Sequence, residues 1–241
     1  MLFHKIVHHA HDLPVFVRNL VAGICLCAFL FACTEIDNYD PPNGSIYGAL
    51  TDELTNEAFQ TEQPNGFTIK LFEKGGELNS PIVFSGKPDG TFENAWIFQN
   101  EYKVLPGEGA FFPVDTVVVQ VGSRTEVNFT VTPFLAVREV EVEASPRKIV
   151  ARYEMARSVA ADKIIERKTL VSKIPTVNNV IFDFKKETDL SGIPDVELLG
   201  VPFTDEITDL PAGDYFVRVG VCTDNALKRY NYSKVFKVSV P

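Results

Sequence analysis

Five aromatic side chains have the residue types best suited to hold a ligand, because flat rings stack on other apolar faces, including the C–H faces of sugars. These candidate ligand-binding residues are Trp96, which is the single tryptophan, the adjacent pair Phe111 and Phe112, and Tyr230 and Tyr232. Gln99 and Asn100 follow Trp96 and place amide donors and acceptors near its ring. The alternative interpretation of Trp96 is a core residue of its domain, or a contact with a second domain.

The other candidates lie in loops or next to them. Phe111 and Phe112 belong to the segment Gly-Glu-Gly-Ala-Phe-Phe-Pro, where adjacent rings cannot easily face one core, so we expect one ring to be exposed or to pack on another domain. Tyr230 and Tyr232 follow a polar loop and point the same way if they lie in a strand. We interpret Arg218 as a surface residue that forms a cross-strand pair, rather than as a ligand clamp.

Catalytic chemistry has little support in the residue inventory. All four histidines lie within the first eleven residues, in a segment that we predict to be removed. Without histidine the remaining chain has no histidine triad, no neutral-pH proton shuttle and no imidazole metal site. The adjacent Asp205 and Glu206 would point to opposite faces of a strand, so we expect a solvated surface rather than an acid–base pair. We predict no catalytic residue, no metal site and no cofactor.

The N-terminal segment has the features of an export signal. Lys5 and Arg18 precede an apolar run, Leu20–Ala32, which is shorter than the ~20 residues of a membrane-spanning helix. The run ends in Leu-Phe-Ala-Cys33, which resembles a bacterial lipobox. This resemblance implies that residues 1–32 are a cleaved signal peptide and that Cys33 is lipidated. The alternatives are an ordinary signal peptide and a short uncleaved anchor.

Residues 33–42 are acidic, end in a proline pair and are predicted to form a tether. The formal net charge of the chain is −9, which disfavours nucleic acid and anionic membrane surfaces as partners. A lipid on Cys33, rather than electrostatics, would hold the protein to a bilayer. We therefore predict a lipid-anchored protein of the outer membrane, exposed on the cell surface, with no nucleic acid partner.

From Gly44 onward the hydrophobic period is two, which indicates half-buried antiparallel strands. The alternating segments are 46–50, 67–71, 117–121, 127–131, 149–155, 180–184, 215–221 and 235–240. Their spacing and the turn residues between them predict an all-β chain of two tandem β-sandwich domains, at residues 43–133 and 134–241. Residues 158–169 are compatible with a short helix, although we favour a strand preceded by a loop.

Two segments carry resemblances to known domains. Asn43–Gly48, Phe67–Leu71, Asp89–Phe92 and Glu101–Val104 together resemble the carboxypeptidase-regulatory or transthyretin-like sandwich. Leu210–Val219 resembles the approach to the sixth strand of a fibronectin type III domain, which belongs to the Ig-like sandwiches and in which a tyrosine forms the tyrosine corner. This second resemblance implies that Tyr215 is a structural residue.

The two domains behind a lipobox resemble an uncharacterised lipoprotein family of Bacteroidetes, domain of unknown function 3823. The phrases Asn128–Phe134 and Asn231–Phe236 are typical of that family. The resemblance implies a non-enzymatic surface lipoprotein that binds glycan or serves as a scaffold beside SusC/SusD-like polysaccharide uptake proteins. The alternative is a structural or adhesive, pilus-related lipoprotein. An enzyme that uses carboxylates alone is a third hypothesis, which two small sandwiches disfavour.

Overall fold

The computed structural model describes residues 40–75 and 80–241. The leader, the predicted lipidation site Cys33 and residues 33–39 of the predicted tether lie outside the described residues. Residues Pro42–Pro241 form one compact unit, which contains two β-sandwich-like bodies. No helix in the described part of the chain is long and apolar enough to cross a membrane.

Over residues 40–75 and 80–131, the first body contains eight strands in two sheets. They are β1 (Gly44–Asp52), β2 (Thr68–Glu73), β3 (Ile82–Ser85), β4 (Thr91–Ile97), β5 (Glu101–Gly107), β6 (Val117–Gln120), β7 (Thr125–Glu126) and β8 (Phe129–Val131). One sheet has the order β4-β1-β7, with β8 also paired to β1, and the other has the order β3-β2-β5-β6. Strand β1 is antiparallel to β4 and parallel to β7 and β8. Buried side chains of both sheets form one shared core.

A glycine allows the connection between β7 and β8 to pass close to β1. A Cβ atom at Gly48 would lie 1.7 Å from the carbonyl oxygen of Val127 and 2.8 Å from the ring of Phe92. The side chain of Asn128 holds the same connection, since its Oδ1 accepts a hydrogen bond of 2.9 Å from the backbone N–H of Ala49. No side chain larger than hydrogen fits at position 48 without moving backbone.

The second body also contains eight strands in two sheets. They are β9 (Ala136–Ser145), β10 (Lys148–Ala156), β11 (Ile164–Ser172), β12 (Phe184–Asp189), β13 (Pro202–Thr208), β14 (Gly213–Thr223), β15 (Tyr230–Tyr232) and β16 (Phe236–Val240). One sheet has the order β13-β10-β9, and the other has the order β12-β11-β14-β15, with β16 also paired to β14. A 3-10 helix, Asp195–Glu197, lies between β12 and β13.

The prediction of an all-β chain with two β-sandwich-like bodies is confirmed. The chain passes from the first body to the second between Val131 and Ala136. Residues 164–172 form strand β11 rather than a helix, and the preceding residues form a loop. One predicted strand, at 180–184, is wrong: Asn178 caps a turn by accepting hydrogen bonds from the backbone N–H groups of Val180 and Ile181, and β12 begins only at Phe184.

Candidate functional site

Trp96 and Phe98 form an exposed aromatic pair at the end of strand β4. The exposed fraction is 74% for Trp96 and 46% for Phe98, whereas Ile97 between them is 1% exposed and belongs to the core. Strand alternation therefore directs both rings away from the core. Among the described strands, β4 lies at the edge of its sheet. The exposure of Trp96 supports its interpretation as a surface residue and contradicts the core alternative.

Hydrogen bonds hold the backbone that carries this aromatic pair. The hydroxyl of Tyr102 donates to the carbonyl of Phe98 at 3.0 Å, and burial, followed by the nearby Glu73, raises the pKa of Tyr102 to about 12. The backbone N–H of Trp96 donates to Oδ1 of Asn94 at 2.9 Å. A surface held in place before binding loses less conformational entropy when a ligand arrives.

Asn100 and Gln99, predicted as polar partners of Trp96, instead stabilise the turn after β4. The amide of Asn100 donates to Oε1 of Glu73 at 2.9 Å and to the carbonyl of Lys74 at 3.3 Å. Gln99 donates to the carbonyl of Asn43 at 3.4 Å. Gln99 is exposed and its acceptor oxygen has no partner among the described residues, so it remains available to a ligand hydroxyl.

The outer face of the same sheet carries a second aromatic ring. Tyr47 lies on β1 opposite Glu93 of β4, and the guanidinium carbon of Arg124 lies 4.4 Å from the centre of its ring. Its hydroxyl donates to Glu126 at 3.4 Å. Together with Trp96 and Phe98, these groups make this outer face aromatic and polar, and we call it the distal face.

Phe111 and Phe112 do not form an exposed platform. Phe111 is 5% exposed and packs edge-on against Phe59 in the core of the first body, with ring centres 5.4 Å apart. Phe112 is half-buried and packs edge-on against Phe134, with ring centres 5.1 Å apart. Phe112 is therefore not an exposed ring, and burial removes Phe111 as a ligand-binding residue.

Tyr230 and Tyr232 are also buried, with exposed fractions of 8% and 6%, so they offer no surface to a ligand. They lie on β15 and their rings are 5.8 Å apart. The hydroxyl of Tyr232 donates to Glu62 of the first body at 2.5 Å and accepts a hydrogen bond from the backbone N–H of Asn179 at 3.2 Å. Burial, followed by the negative charge of Glu62, raises the pKa of Tyr232 far above its ordinary value.

Asn231, between the two tyrosines, connects the two bodies from the opposite side of β15. Its amide donates to the carbonyl of Ala110 at 2.8 Å, and its oxygen accepts from the backbone N–H of Leu135 at 3.0 Å. Arg229 adds a hydrogen bond of 3.0 Å to the carbonyl of Glu108. We call this contact between β15 and residues of the first body the joint.

Tyr215 is fully buried, and its hydroxyl donates to the carbonyl of Pro211 at 2.9 Å. This is the hydrogen bond of a tyrosine corner, in which the ring packs into the core and the turn satisfies the hydroxyl. Tyr215 packs edge-on against Phe184, with ring centres 6.2 Å apart.

Asp205 is buried, which corrects the expectation of a surface carboxylate. Its exposed fraction is 1%, and it accepts hydrogen bonds from Tyr153 at 2.8 Å, Thr169 at 2.8 Å and Arg167 at 2.5 Å. The adjacent Glu206 points outward and pairs with Lys148. Because its oxygens are engaged and shielded from solvent, Asp205 links the two sheets of the second body rather than serving as an acid or base.

The only cysteine among the described residues, Cys222, is 2% exposed, and burial raises the pKa of its thiol to about 12. A thiol with so high a pKa is a poor nucleophile. Within the described residues, no three histidine, cysteine, aspartate or glutamate side chains are grouped so that they could hold a metal ion.

The comparison with protein families gives a match to the first body. The model for the N-terminal domain of DUF3823, a protein of unknown function, matches residues 45–132. These residues run from the start of β1 to just past β8. The first body matches the DUF3823 N-terminal domain. A comparison with curated proteins found no match.

Solved structures extend the likeness over both bodies. A DUF3823 family protein from Bacteroides uniformis is 24% identical with a TM-score of 0.72, and the match covers 83% of this chain and 100% of that one. A family member from Parabacteroides merdae is 24% identical with a TM-score of 0.69, covering 84% and 100%. A third, from Bacteroides uniformis, is described as "a putative carbohydrate binding protein"; it is 22% identical with a TM-score of 0.69, covering 83% and 100%. These similarities establish a shared fold with the DUF3823 structures.

The sequence interpretation missed the roles of Phe98 and Asn231 and wrongly placed Asp205 on the surface. Alternation held a signal for two of them: Phe98 is two residues from Trp96, and Asp205 lies between Phe203 and Ile207 on an inward-facing row. Asn231 bonds with groups that are 96 and 121 residues away, so no local pattern reveals its role.

Proposed function

We propose that the protein is a non-enzymatic carbohydrate-binding protein, and that its distal face holds the glycan. The observation that carries the proposal is the exposure of Trp96, the single tryptophan, beside the exposed ring of Phe98. Most other large aromatic rings are placed in the core or the joint, where they stabilise the fold. Two rings that face solvent together have no such structural role, and exposed apolar groups of this kind mark binding sites.

The chemistry of the distal face fits a sugar chain. The C–H faces of a pyranose stack on rings such as Trp96 and Phe98, while Gln99 and Glu93 offer oxygen atoms to hydroxyl groups. The open edge of β4 suits a ligand that extends over the surface rather than one enclosed in a cleft. The Bacteroides uniformis relative described as a carbohydrate binding protein shares the fold, which supports the same class of ligand here.

The cellular setting belongs to the same proposal. The lipobox-like sequence before Cys33 supports anchoring to the outer membrane, and the match to DUF3823 supports membership of the whole chain in that family. We infer that the protein presents the distal face at the cell surface as an accessory of a SusC/SusD-like polysaccharide uptake system.

The test of glycan binding uses the fluorescence of Trp96, which reports on the site itself because no other tryptophan is present. We expect that at least one member of a panel of soluble xylans, mannans, glucans, galactans and host O-glycans changes the emission. Trp96→Ala should abolish binding, as measured by calorimetry, and Phe98→Ala should weaken it about tenfold, which corresponds to about 1.4 kcal/mol.

Val196→Ala is the matched control, because Val196 is 81% exposed but lies in the second body. It should bind the same glycan with unchanged affinity. If Trp96→Ala retains full affinity for every glycan that the unmodified protein binds, the distal face is not the site. Assembly into polymers without glycan binding would favour the structural or adhesive alternative.

The anchor and the absence of catalysis are tested separately. Cells fed a palmitate analogue should label the protein, and Cys33→Ala should lose the label; normal labelling of that variant would contradict the anchor. Incubation with the polysaccharide panel should release no reducing ends, and turnover that exceeds the buffer control would contradict the non-enzymatic role.

A further inference from the structure

A cavity of about 370 Å³ lies between the two bodies, apart from the distal face. The first body contributes Gln60, Gln63, Pro88 and Asp89 to its wall, whereas Trp96 lies at the other end of strand β4. A volume of this size is within the range of pockets that hold small molecules, about 300–1,000 Å³.

The second body contributes a buried arginine. Arg218 is 2% exposed, which contradicts the expectation of a surface pair, and it lines the cavity. Its Nε donates to the carbonyl of Ser233 at 2.9 Å, and one terminal nitrogen, Nη1, donates to the carbonyl of Val177 at 3.5 Å. Its guanidinium lies 4.4 Å from the centre of the Tyr232 ring.

The other terminal nitrogen of Arg218, Nη2, has no hydrogen-bond partner among the described residues. The negative charge of Glu62 acts on the guanidinium, although no direct ion pair to Arg218 forms within the described residues. Burial lowers the pKa of Arg218 to about 10, so the group is still charged at neutral pH. A buried cation is usually paired, because the loss of water around it is costly. In this protein the nitrogen without a hydrogen-bond partner, Nη2, belongs to a side chain that lines the cavity.

The rim of the cavity carries acceptor oxygens. The amides of Gln60 and Gln63 donate to the backbone carbonyls of Ala58 and Gly86, at 3.1 Å and 2.7 Å, and their own oxygens have no partner among the described residues. Asp89 uses Oδ1 to accept from Thr91, and its Oδ2 is free of hydrogen bonds within the described residues. The remaining wall is largely apolar and includes Pro88, Pro175, Ile181 and Val235.

We propose that this cavity binds one neutral sugar ring, with Arg218 donating to a ring or hydroxyl oxygen and the rim oxygens accepting from hydroxyl groups. A polyhydroxylated ring both donates and accepts, and its C–H faces suit the proline and isoleucine walls. An anionic ligand fits less well, since the carboxylate of Asp89 faces the same space. The choice of a sugar as the ligand rests on the proposed function. The cavity itself is a second site, separate from the distal face.

The experiment titrates the full-length protein with methyl pyranosides of glucose, galactose, mannose, xylose and rhamnose, and with glucuronate and galacturonate, followed by saturation-transfer NMR and calorimetry. At least one neutral glycoside should bind. Arg218→Gln should weaken that binding about tenfold or more, the range expected for loss of a charged hydrogen bond.

A second variant keeps the test valid if Arg218→Gln does not fold. Ile181→Trp fills the cavity from a residue that is 37% exposed and should abolish binding of the monosaccharide. Val180→Trp is the matched control, because Val180 is the adjacent residue, is 64% exposed and does not line the cavity, and it should bind normally.

Trp96→Ala separates the two sites. Retained monosaccharide binding in Trp96→Ala together with its loss in Ile181→Trp supports the cavity, whatever the outcome at the distal face. The proposal is overturned if no neutral glycoside binds the unmodified protein, if only the two uronates bind, or if Ile181→Trp binds as the unmodified protein does.

Discussion

The distal face and the joint each carry two aromatic rings separated by one residue, yet their exposure differs. Trp96 and Phe98 are 74% and 46% exposed, whereas Tyr230 and Tyr232 are 8% and 6% exposed. The strand of the first pair ends at an open sheet edge. The strand of the second pair, β15, pairs with β14 and is covered by the first body through Glu62 and Ala110.

The two regions also differ in their hydrogen bonds, and this difference separates a structural role from a binding role. Each tyrosine hydroxyl of β15 is satisfied: Tyr230 donates to Glu166 and accepts from Lys168 at 2.9 Å within the second body, and Tyr232 bonds with Glu62 and the backbone of Asn179. Buried polar groups with complete hydrogen bonds stabilise a fixed arrangement. The rings of Trp96 and Phe98 remain uncovered, which leaves them free to meet a ligand.

The largest expected loss of unfolding free energy comes from replacing Asn231 in the joint, and Asn94 at the distal face provides the comparison. Asn231→Ala leaves the backbone N–H of Leu135 without a partner in a buried site. It also removes one of the two hydrogen bonds to the carbonyl of Ala110, which still accepts from the N–H of Phe134 at 3.1 Å. The variant should lower the free energy of unfolding by about 3 kcal/mol. Asn94→Ala, its counterpart beside Trp96, removes a single exposed bond and should lower it by about 1 kcal/mol or less. Urea unfolding measures both values, and equal losses would contradict the contrast.

A tyrosine pair gives the next comparison. Tyr232→Phe removes the donor to the buried carboxylate of Glu62 and should lower the free energy of unfolding by about 1–3 kcal/mol. Tyr47→Phe removes only a 3.4 Å contact with the exposed Glu126 and should change it by less than about 0.5 kcal/mol. Adding Glu62→Gln to Tyr232→Phe should recover part of the loss, because no buried charge then lacks its donor.

Alkaline pH should weaken the joint. Burial, and then the charge of Glu62, raises the pKa of Tyr232 in the folded state above its ordinary value of 10.0. The neutral hydroxyl therefore makes its full contribution to the free energy of unfolding at pH values below 10. This contribution is lost as pH rises above 10 toward the folded-state pKa, because the unfolded chain then releases the proton first. Unfolding curves followed by tyrosinate absorbance should show a smaller alkaline loss for Tyr232→Phe; an unchanged loss would assign the effect to other groups, such as Tyr102.

The smallest expected effect on stability lies at the distal face. Trp96→Ala should change the free energy of unfolding by less than about 0.5 kcal/mol, because most of the side chain is already in water. Thermal unfolding followed by circular dichroism measures the change. A loss above 2 kcal/mol would mean that the ring has a structural role and would weaken the proposed function.

The repeating period of two was sufficient to predict the all-β class, two bodies and most strands of their cores, since inward and outward side chains must alternate when one face of a sheet is buried. It was insufficient at residues 180–183, where a turn capped by Asn178 replaces a predicted strand. Composition also identified Trp96 as a candidate ligand-binding residue. It could not show whether the strand that carries Trp96 lies at a sheet edge or is covered, and therefore whether the ring is exposed.

The local sequence alone determined which residues alternate, where most turns interrupt the strands and that Tyr215 closes a tyrosine corner, because these features depend on neighbours a few residues apart. Only the tertiary structure decided that Tyr230 and Tyr232 are buried, with Tyr232 in the joint, that Asp205 lies between sheets and that Arg218 faces a cavity. Those outcomes depend on contacts between segments far apart in the chain, such as Glu62 with Tyr232, and strand pairing rather than local propensity brings such segments together.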